Sequence, residues 1–248
     1  MLDFHSHILP GIDDGSKNLE MSLAMLRESS AQGIRGIALT PHFYADSDDP
    51  DEFFRRREAA ADSLFQAAQS EPDCPELLLG AEVHYYRGMG QSDILEQFCI
   101  GDSNLVLVEM PFRPWSRQEL RDLEDIRNRL GLQVLIAHVE RYLHLARPED
   151  IDALKTRAGA LIQANAEFFL QLRTRRKALR MLERGEIHLL GSDCHDMDSR
   201  APDLGDAVTY IRKKLGPDIL AEIDRRGQRY LAPSSPPGTG DDRELVHT

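Results

Sequence analysis

The 248-residue chain predicts an α/β fold, a parallel sheet or barrel, from three observations. Short apolar runs rich in β-branched residues alternate with longer amphipathic stretches, the pattern of repeated βαβ units. The later runs recur about every 27 residues, too regular for two unrelated domains, although no motif repeats. An apolar fraction of 41% supplies a core and excludes wholesale disorder.

Taken in order, strands are predicted over 1–5, 36–40, 77–83, 105–109, 134–138, 160–164 and 187–191. After the first, Ser16 is the expected helix N-cap, and Leu19, Leu23, Leu26 and Ser30 trace one face that ends at Gly33. Helical spacing returns over 51–69, 116–130, 148–157 and 168–183, and two more helices, near 203–214 and 217–226, close the fold. From Ala232 the text turns to Ala-Pro-Ser-Ser-Pro-Pro-Gly-Thr-Gly-Asp-Asp. That composition predicts one folded unit over 1–231 and a disordered tail over 232–248.

Lys plus Arg number 30 against 42 Asp plus Glu, a formal charge of −12. This argues against nucleic acid or an anionic membrane as partner, because either needs a basic face. Cys74, Cys99 and Cys194 make no disulfide framework and suit a reducing compartment. Acid and His interrupt the first five residues, unlike a signal peptide, and no apolar run approaches the ~18–20 residues of a membrane span. A cytoplasmic protein is expected.

Functional groups of such barrels gather at the carboxyl ends of the strands. Here those ends read His5-Ser-His7 followed by Asp14, then His42, Glu82, Glu109, His138-Val-Glu140-Arg141, Asn165 and Asp193-Cys-His195. Six of the seven predicted strands therefore end in a group that binds metals. His-x-His on an extended segment places both rings on one face, and Asp193-x-His195 repeats the arrangement. Imidazole mixed with carboxylate is the donor set of Zn, Mn or Fe sites, and carboxylates bridge paired ions. Singly, each group has a blander reading: Glu109 pairs with an arginine, or His42 caps a loop. Their joint placement at strand ends is what metal binding explains. His84, His144, His188 and His247 lack that placement and receive no role.

The segments Asp3-Phe-His-Ser-His-Ile-Leu-Pro-Gly-Ile-Asp-Asp-Gly15, Leu39-Thr-Pro-His42, Ile136-Ala-His-Val-Glu-Arg-Tyr142 and Gly191-Ser-Asp-Cys-His195 resemble the polymerase-and-histidinol-phosphatase (PHP) superfamily of metal-dependent phosphoesterases. Within it, they are most similar to the bacterial protein-tyrosine phosphatases of capsular and exopolysaccharide loci, the CpsB/YwqE type. The resemblance implies a distorted TIM-like (β/α)7 barrel, the PHP fold, holding two or three divalent ions, with Mn preferred and Fe or Zn as alternatives. It places one ion on His5, His7, Glu82 and Asp193, a second on Glu82, Glu109 and His138, and a third on Asp14, His42 and His195. It also matches Arg141, and Arg200 as a second, to arginines that grip phosphate. The implied substrate is a phosphotyrosine protein, such as the tyrosine kinase of an exopolysaccharide locus. The alternative is histidinol phosphate or another small phosphomonoester.

The chemistry agrees with that assignment. Divalent ions lower the pKa of a bridging water, and the resulting hydroxide attacks phosphorus in line. Planar guanidinium groups meet phosphate oxygens through charge-assisted hydrogen bonds. A phenolate leaves with a pKa near 10, so the demand for a general acid is modest; metal-bound water, or His42 and His195, are the candidates for that proton. After His42 the sequence departs from its relatives in an acidic loop over 43–52, expected to overhang the mouth. There Phe43 and Tyr44, with Phe112 and Trp115, are expected to form an aromatic wall for the substrate ring. Arg55-Arg56-Arg57 on the following helix is a possible contact surface for an oligomer, or simply a solvated face.

Two other enzyme readings compete. Cys194 to Arg200 satisfies the Cys-x5-Arg spacing of a thiolate phosphatase, but no glycine lies inside it, and Asp193, Asp196 and Asp198 disfavour a thiolate. An amidohydrolase also begins with His-x-His, but places a carboxylated lysine where this chain has Glu109. A non-catalytic binding role predicts missing donors, and none of the nine is missing.

Overall fold

The computed structural model describes residues 1–233; the expected tail from residue 234, with His247, lies outside the described residues. Parallel strands alternate with helices throughout. In chain order these are β1 (Leu2–Ser6), α1 (Leu19–Ala31), β2 (Gly36–Leu39), β3 (His42–Phe43), α2 (Pro50–Ala68), β4 (Glu76–Leu79), β5 (Glu82–His84) and β6 (Leu105–Glu109). They continue as α3 (Arg117–Leu130), β7 (Gln133–Ile136), α4 (Pro148–Thr156), β8 (Leu161–Asn165), α5 (Ala166–Leu170), α6 (Arg175–Glu183), β9 (Leu189–Gly191), α7 (Leu204–Leu215) and α8 (Asp218–Leu231).

Two of the seven expected strands are kinked. The second divides into β2 and β3 at Thr40-Pro41, because proline lacks an N–H for the ladder and pushes its predecessor out of register. The third divides into β4 and β5 at Gly80-Ala81. Hydrogen bonds from Gly80 N–H to the Leu39 carbonyl (2.9 Å) and from Glu82 N–H to the Pro41 carbonyl (3.0 Å) carry the pairing across both breaks. One sheet runs β1-β2-β4 and the other β3-β5-β6-β7-β8-β9. A parallel bridge between Ser6 and Cys194, with Asp193 N–H on the His5 carbonyl at 2.7 Å, brings β9 back to β1. The closure is tight: a Cβ added at Gly191 would lie 2.6 Å from the His5 Cβ.

Phe4, Leu107, Leu135, Leu161 and Leu189 fill the interior, and Tyr230 and Leu231 of α8 pack on that cluster. The larger apolar core lies between the strands and the outer helices. The fold is thus the expected distorted α/β barrel, curled around an apolar centre.

Several local expectations need correction. Asn18, not Ser16, caps α1 through its side chain, while Ser16 donates to the Asn18 carbonyl and pairs with the Ser22 hydroxyl. The helix expected over 168–183 breaks into α5 and α6, and Thr174 donates back to the Phe168 carbonyl at 2.9 Å in the turn between them. Arg57 is not a surface group. It is buried, donates to the Gln97 carbonyl at 3.0 Å, and lies over the Phe54 ring at 5.1 Å. Burying that guanidinium among rings and carbonyls pins α2 to the barrel.

Candidate metal centre

The first strand sets the site. Asp3 Oδ1 accepts from the backbone N–H of His5 (3.1 Å) and of Ser192 (2.9 Å), and the β1–β2 register shifts between Asp3 and Ser6. Phe4 therefore stays in the apolar centre, while His5 and His7 turn together towards the carboxyl ends. Their Nε2 atoms face each other at 3.1 Å. Glu82 Oε2 lies 3.2 Å from His5 Nε2 and 3.4 Å from His7 Nε2, and Asp193 Oδ1 lies 3.5 and 3.4 Å from the same two atoms.

The other carboxylate oxygen of Glu82 is 2.9 Å from His138 Nε2, which is 3.2 Å from Glu109 Oε1. Asp14, the one exposed member, reaches His42 Nε2 at 3.6 Å and His195 Nε2 at 3.4 Å. All nine sequence-predicted donors thus meet in one cluster. Within it His7, Asp14, His42 and His195 form one group that could hold an ion, His5, His7 and Asp193 a second, and His42, Glu82 and Glu109 a third. The groups share His7 and His42 and differ from the sets expected from sequence: His42, and not His138, stands with Glu82 and Glu109, although His138 Nε2 lies near both carboxylates.

Electrostatics in the cluster is mutual. Burial disfavours charge on His7, yet Asp13, Asp193 and Glu82 outweigh it and hold the imidazole pKa well above its usual value. Burial opposes charge on His138 too, and Glu109 and Glu82 raise it to about 9. Glu109 sits at about 2 because His138 and His84 overcome its desolvation. Glu82 and Asp193 are held well below the usual carboxylate range, against burial, by the surrounding imidazoles. His195 differs: burial, then the charges of His7 and Arg200, push it down to about 4.

Buried carboxylates of this kind require positive charge beside them. Four polar atoms in the cluster nonetheless have no hydrogen-bond partner: His42 Nδ1, Glu82 Oε2, His138 Nδ1 and His195 Nε2. Two of these, His42 Nδ1 and Glu82 Oε2, approach to 2.8 Å without hydrogen-bond geometry. Converging buried donors with unfilled valence fit divalent cations.

Five neighbours of the cluster have no role in the sequence reading. Asp13 accepts from His7 Nδ1 at 2.7 Å and from the His42 N–H at 3.0 Å, tying two strand ends together, and those contacts hold it at about 2. Gln163 and Asn165 on β8 link His138 to Asp193. Glu140, half-buried and raised to about 7 by desolvation, accepts from the Asn165 N–H. His84, given no role from sequence, places Nδ1 2.8 Å from Glu109 Oε2. The acid doublet Asp13-Asp14 and the period-two spacing of Gln163 and Asn165 were the available signals.

Arg141 and Arg200 both arrive, each on one oxygen of Asp193, at 2.5 and 2.7 Å. They also line a polar pocket of about 580 Å³ with Asn165, Glu167, Ser199 and Asp203. The aromatic wall is only half present. Phe43 is buried against Phe98 and Phe53, at 4.5 and 5.1 Å between ring centroids, and Trp115 is buried beside Tyr142. Strand alternation turns Phe43 inward once His42 faces the site. Tyr44 and Phe112, by contrast, are 39% and 48% exposed, beside His42 and stacked on His138 respectively. In the acidic loop, Asp48 Oδ2 accepts from the Tyr44 N–H and Asp49 caps α2. The thiolate reading fails on geometry: Cys194 is buried in the bridge to β1, and desolvation with Asp3 and Asp193 raises its pKa well above normal. His144 has no part in the cluster.

Comparison with known proteins places the chain. The family model described as "Capsular polysaccharide synthesis, CpsB/CapC" matches residues 1–231. The chain belongs to the CpsB/CapC family. It is 32% identical over 240 residues to the tyrosine-protein phosphatase CpsB of Streptococcus pneumoniae, covering 90% of this chain and 94% of that protein. It is 28% identical over 238 residues to the tyrosine-protein phosphatase YwqE of Bacillus subtilis, covering 93% and 91%. A solved structure from work on YwqE and CpsB, described as unique metal-dependent tyrosine phosphatases, superposes with a TM-score of 0.82 at 26% identity, over 95% of this chain and 96% of that one. In the CpsB/CapC chain at hand, no helix of the described residues is long and apolar enough to cross a membrane.

Proposed function

We propose that this chain is a metal-dependent protein-tyrosine phosphatase acting on a phosphotyrosine protein, with a tyrosine kinase of an exopolysaccharide locus as the partner and the cytoplasm as its place of work. The observation that carries the reading is the cluster of nine imidazole and carboxylate side chains with partnerless polar atoms at its centre, in a family whose curated members are named tyrosine-protein phosphatases.

His5, His7, Glu82 and Asp193 would hold one divalent ion, Glu82 with Glu109 and His138 a second, and Asp14, His42 and His195 a third, with manganese preferred. Ions held there supply Lewis acidity towards phosphoryl oxygens and acidify water near neutral pH. The protein's own groups do the rest. Glu82 offers one oxygen to the His5–His7 side and the other to His138, and so joins two groups of donors. Arg141 and Arg200 present guanidinium edges at the rim of the same centre and bind the phosphoryl oxygens with charge-assisted bonds. Tyr44 and Phe112 flank the mouth and take the apolar faces of the phosphotyrosine ring. His195, held neutral near pH 7 by burial, offers no proton from the metal-free chain.

An assay panel on metal-replete protein tests the proposal: a phosphotyrosine peptide, histidinol phosphate and a generic aryl phosphate, each with and without chelator. Chelator-sensitive cleavage of the phosphotyrosine peptide is expected. Cleavage of histidinol phosphate without the peptide would replace the substrate assignment by a small phosphomonoester. Chelator-resistant activity would remove the metals.

A further inference from the structure

Of the seven strand positions around the barrel, only β8 ends without a metal-binding side chain, yet its last residues are among the most deeply buried polar groups in the molecule. Gln163 is fully buried and Asn165 is 3% exposed. Their amides form a directed chain. Asn165 Nδ2 donates to Asp193 Oδ2 at 2.8 Å, and an ionised carboxylate only accepts. Asn165 Oδ1 is thereby left to accept, and it does so from Gln163 Nε2 at 2.8 Å. Gln163 Oε1 must then accept as well, and it takes the backbone N–H of His138 at 2.6 Å. Neither amide can be flipped without setting two donors or two acceptors against each other.

The two ends of this chain are unusual backbone positions. Among the described residues only three other than glycine have positive φ: Asp73, in a surface turn, His138 at 32° and Asp193 at 55°. Left-handed conformations at side chains with a Cβ are strained and persist only where surroundings over-determine them. Both residues belong to the candidate metal centre, and both are the partners of the β8 amides. Gly191 leaves room for the arrangement, since a Cβ there would lie 2.7 Å from Gln163 Nε2. The Asn165 N–H adds a bond to Glu140 Oε1 at 3.2 Å, holding the turn that carries Arg141 against β8.

We propose that Gln163 and Asn165 are positioning residues: a two-amide clamp that holds His138 and Asp193 in their left-handed conformations so that donors from β7 and β9 converge on one centre. The proposal rests on the reading of that centre as a metal site. β8 would contribute no ligand because its task is orientation, and a neutral amide pair does this without adding charge to a site already crowded with carboxylates.

The test compares Gln163→Met and Asn165→Leu, each close in volume to the residue replaced, with the double variant. Crystal structures of the metal-free proteins give the backbone angles, and calorimetric titration with manganese(II) gives affinity and stoichiometry. A positive φ is expected to be lost at His138 in Gln163→Met, and the carboxylate of Asp193 to turn away in Asn165→Leu. Manganese affinity should fall ten- to a hundredfold in either variant, and the double variant should be no weaker than the worse single one, because the two amides act as one unit. A merely structural role would lower the melting temperature of the metal-free protein and leave its manganese affinity unchanged; that result overturns the clamp. Should the unaltered chain bind no divalent ion, the metal reading itself fails. The clamp is then decided by the metal-free structures: retention of both left-handed conformations in both single variants overturns it.

Discussion

The two ends of the barrel hold histidines that are both desolvated, His138 fully and His188 in part, and opposite in character. At the amino end, His188 precedes β9; its Nδ1 accepts the Ile162 N–H at 3.0 Å, and burial, reinforced by Arg226 and Lys155, drives its pKa down to about 4. At the carboxyl end, His138 is also desolvated, yet Glu109 and Glu82 raise it to about 9. The residue type is the same, and so is the sign of the burial effect. What differs is whether carboxylates converge on the ring. One end uses histidine as a neutral acceptor that ties two strands together. The other assembles imidazoles and carboxylates whose charges need each other, or a cation in place of the protons.

Breaking the carboxyl end has the largest expected effect. Glu82 lies within 3.4 Å of nitrogens on His5, His7, His42 and His138, so Glu82→Gln should lose bound metal and reduce turnover to the level of the chelated enzyme. Elemental analysis alongside the kinetics checks this; full metal content in an active variant would remove Glu82 from its bridging role. A smaller effect is expected from Arg141→Ala. Arg200 still holds Asp193 at 2.7 Å, so metal content should persist, while inhibition by inorganic phosphate weakens by roughly tenfold, about 1.4 kcal/mol. Unaltered phosphate inhibition would take Arg141 out of the site.

The remaining effects come from pH, and they have opposite signs at the two ends. In metal-free protein, His138 has a folded pKa above the ordinary 6.5. Its contribution to stability is complete below 6.5 and lost as pH climbs through about 9. Melting temperatures should therefore fall across that window, and saturating manganese should flatten the slope because ions replace the protons. His188 has a folded pKa below 6.5, so stability is lost as pH falls from 6.5 towards 4. His188→Gln should shallow that acid limb and leave the alkaline one alone. Equal changes in both limbs would show that the two ends are not electrically separate.

Much of this molecule is legible from local pattern. Alternating apolar runs and amphipathic stretches identify the strands and helices, and reading only the strand ends finds His5, His7, Asp14, His42, Glu82, Glu109, His138, Asp193 and His195. Sequence alone puts Phe43 in the mouth because alternation beyond a proline kink cannot be counted from it; in the fold His42 faces the centre and its neighbour faces the core. Composition groups Arg57 with Arg55 and Arg56 as one surface, although helical rotation buries the third of three consecutive residues. His84 has no legible role in the sequence because nothing local marks a strand-end ring as the partner of a carboxylate on the next strand.

Thus residue type and spacing by themselves determine the α/β class and the chemistry of the donor set, since both depend on period and composition. The tertiary structure alone decides which atoms meet. The register shift held by Asp3 that turns two histidines inward, the carboxylate shared between two groups of donors and the left-handed backbone at His138 and Asp193 are products of contacts between distant segments. Side-chain pKa values follow from those contacts and from burial, and neither quantity exists until the barrel closes.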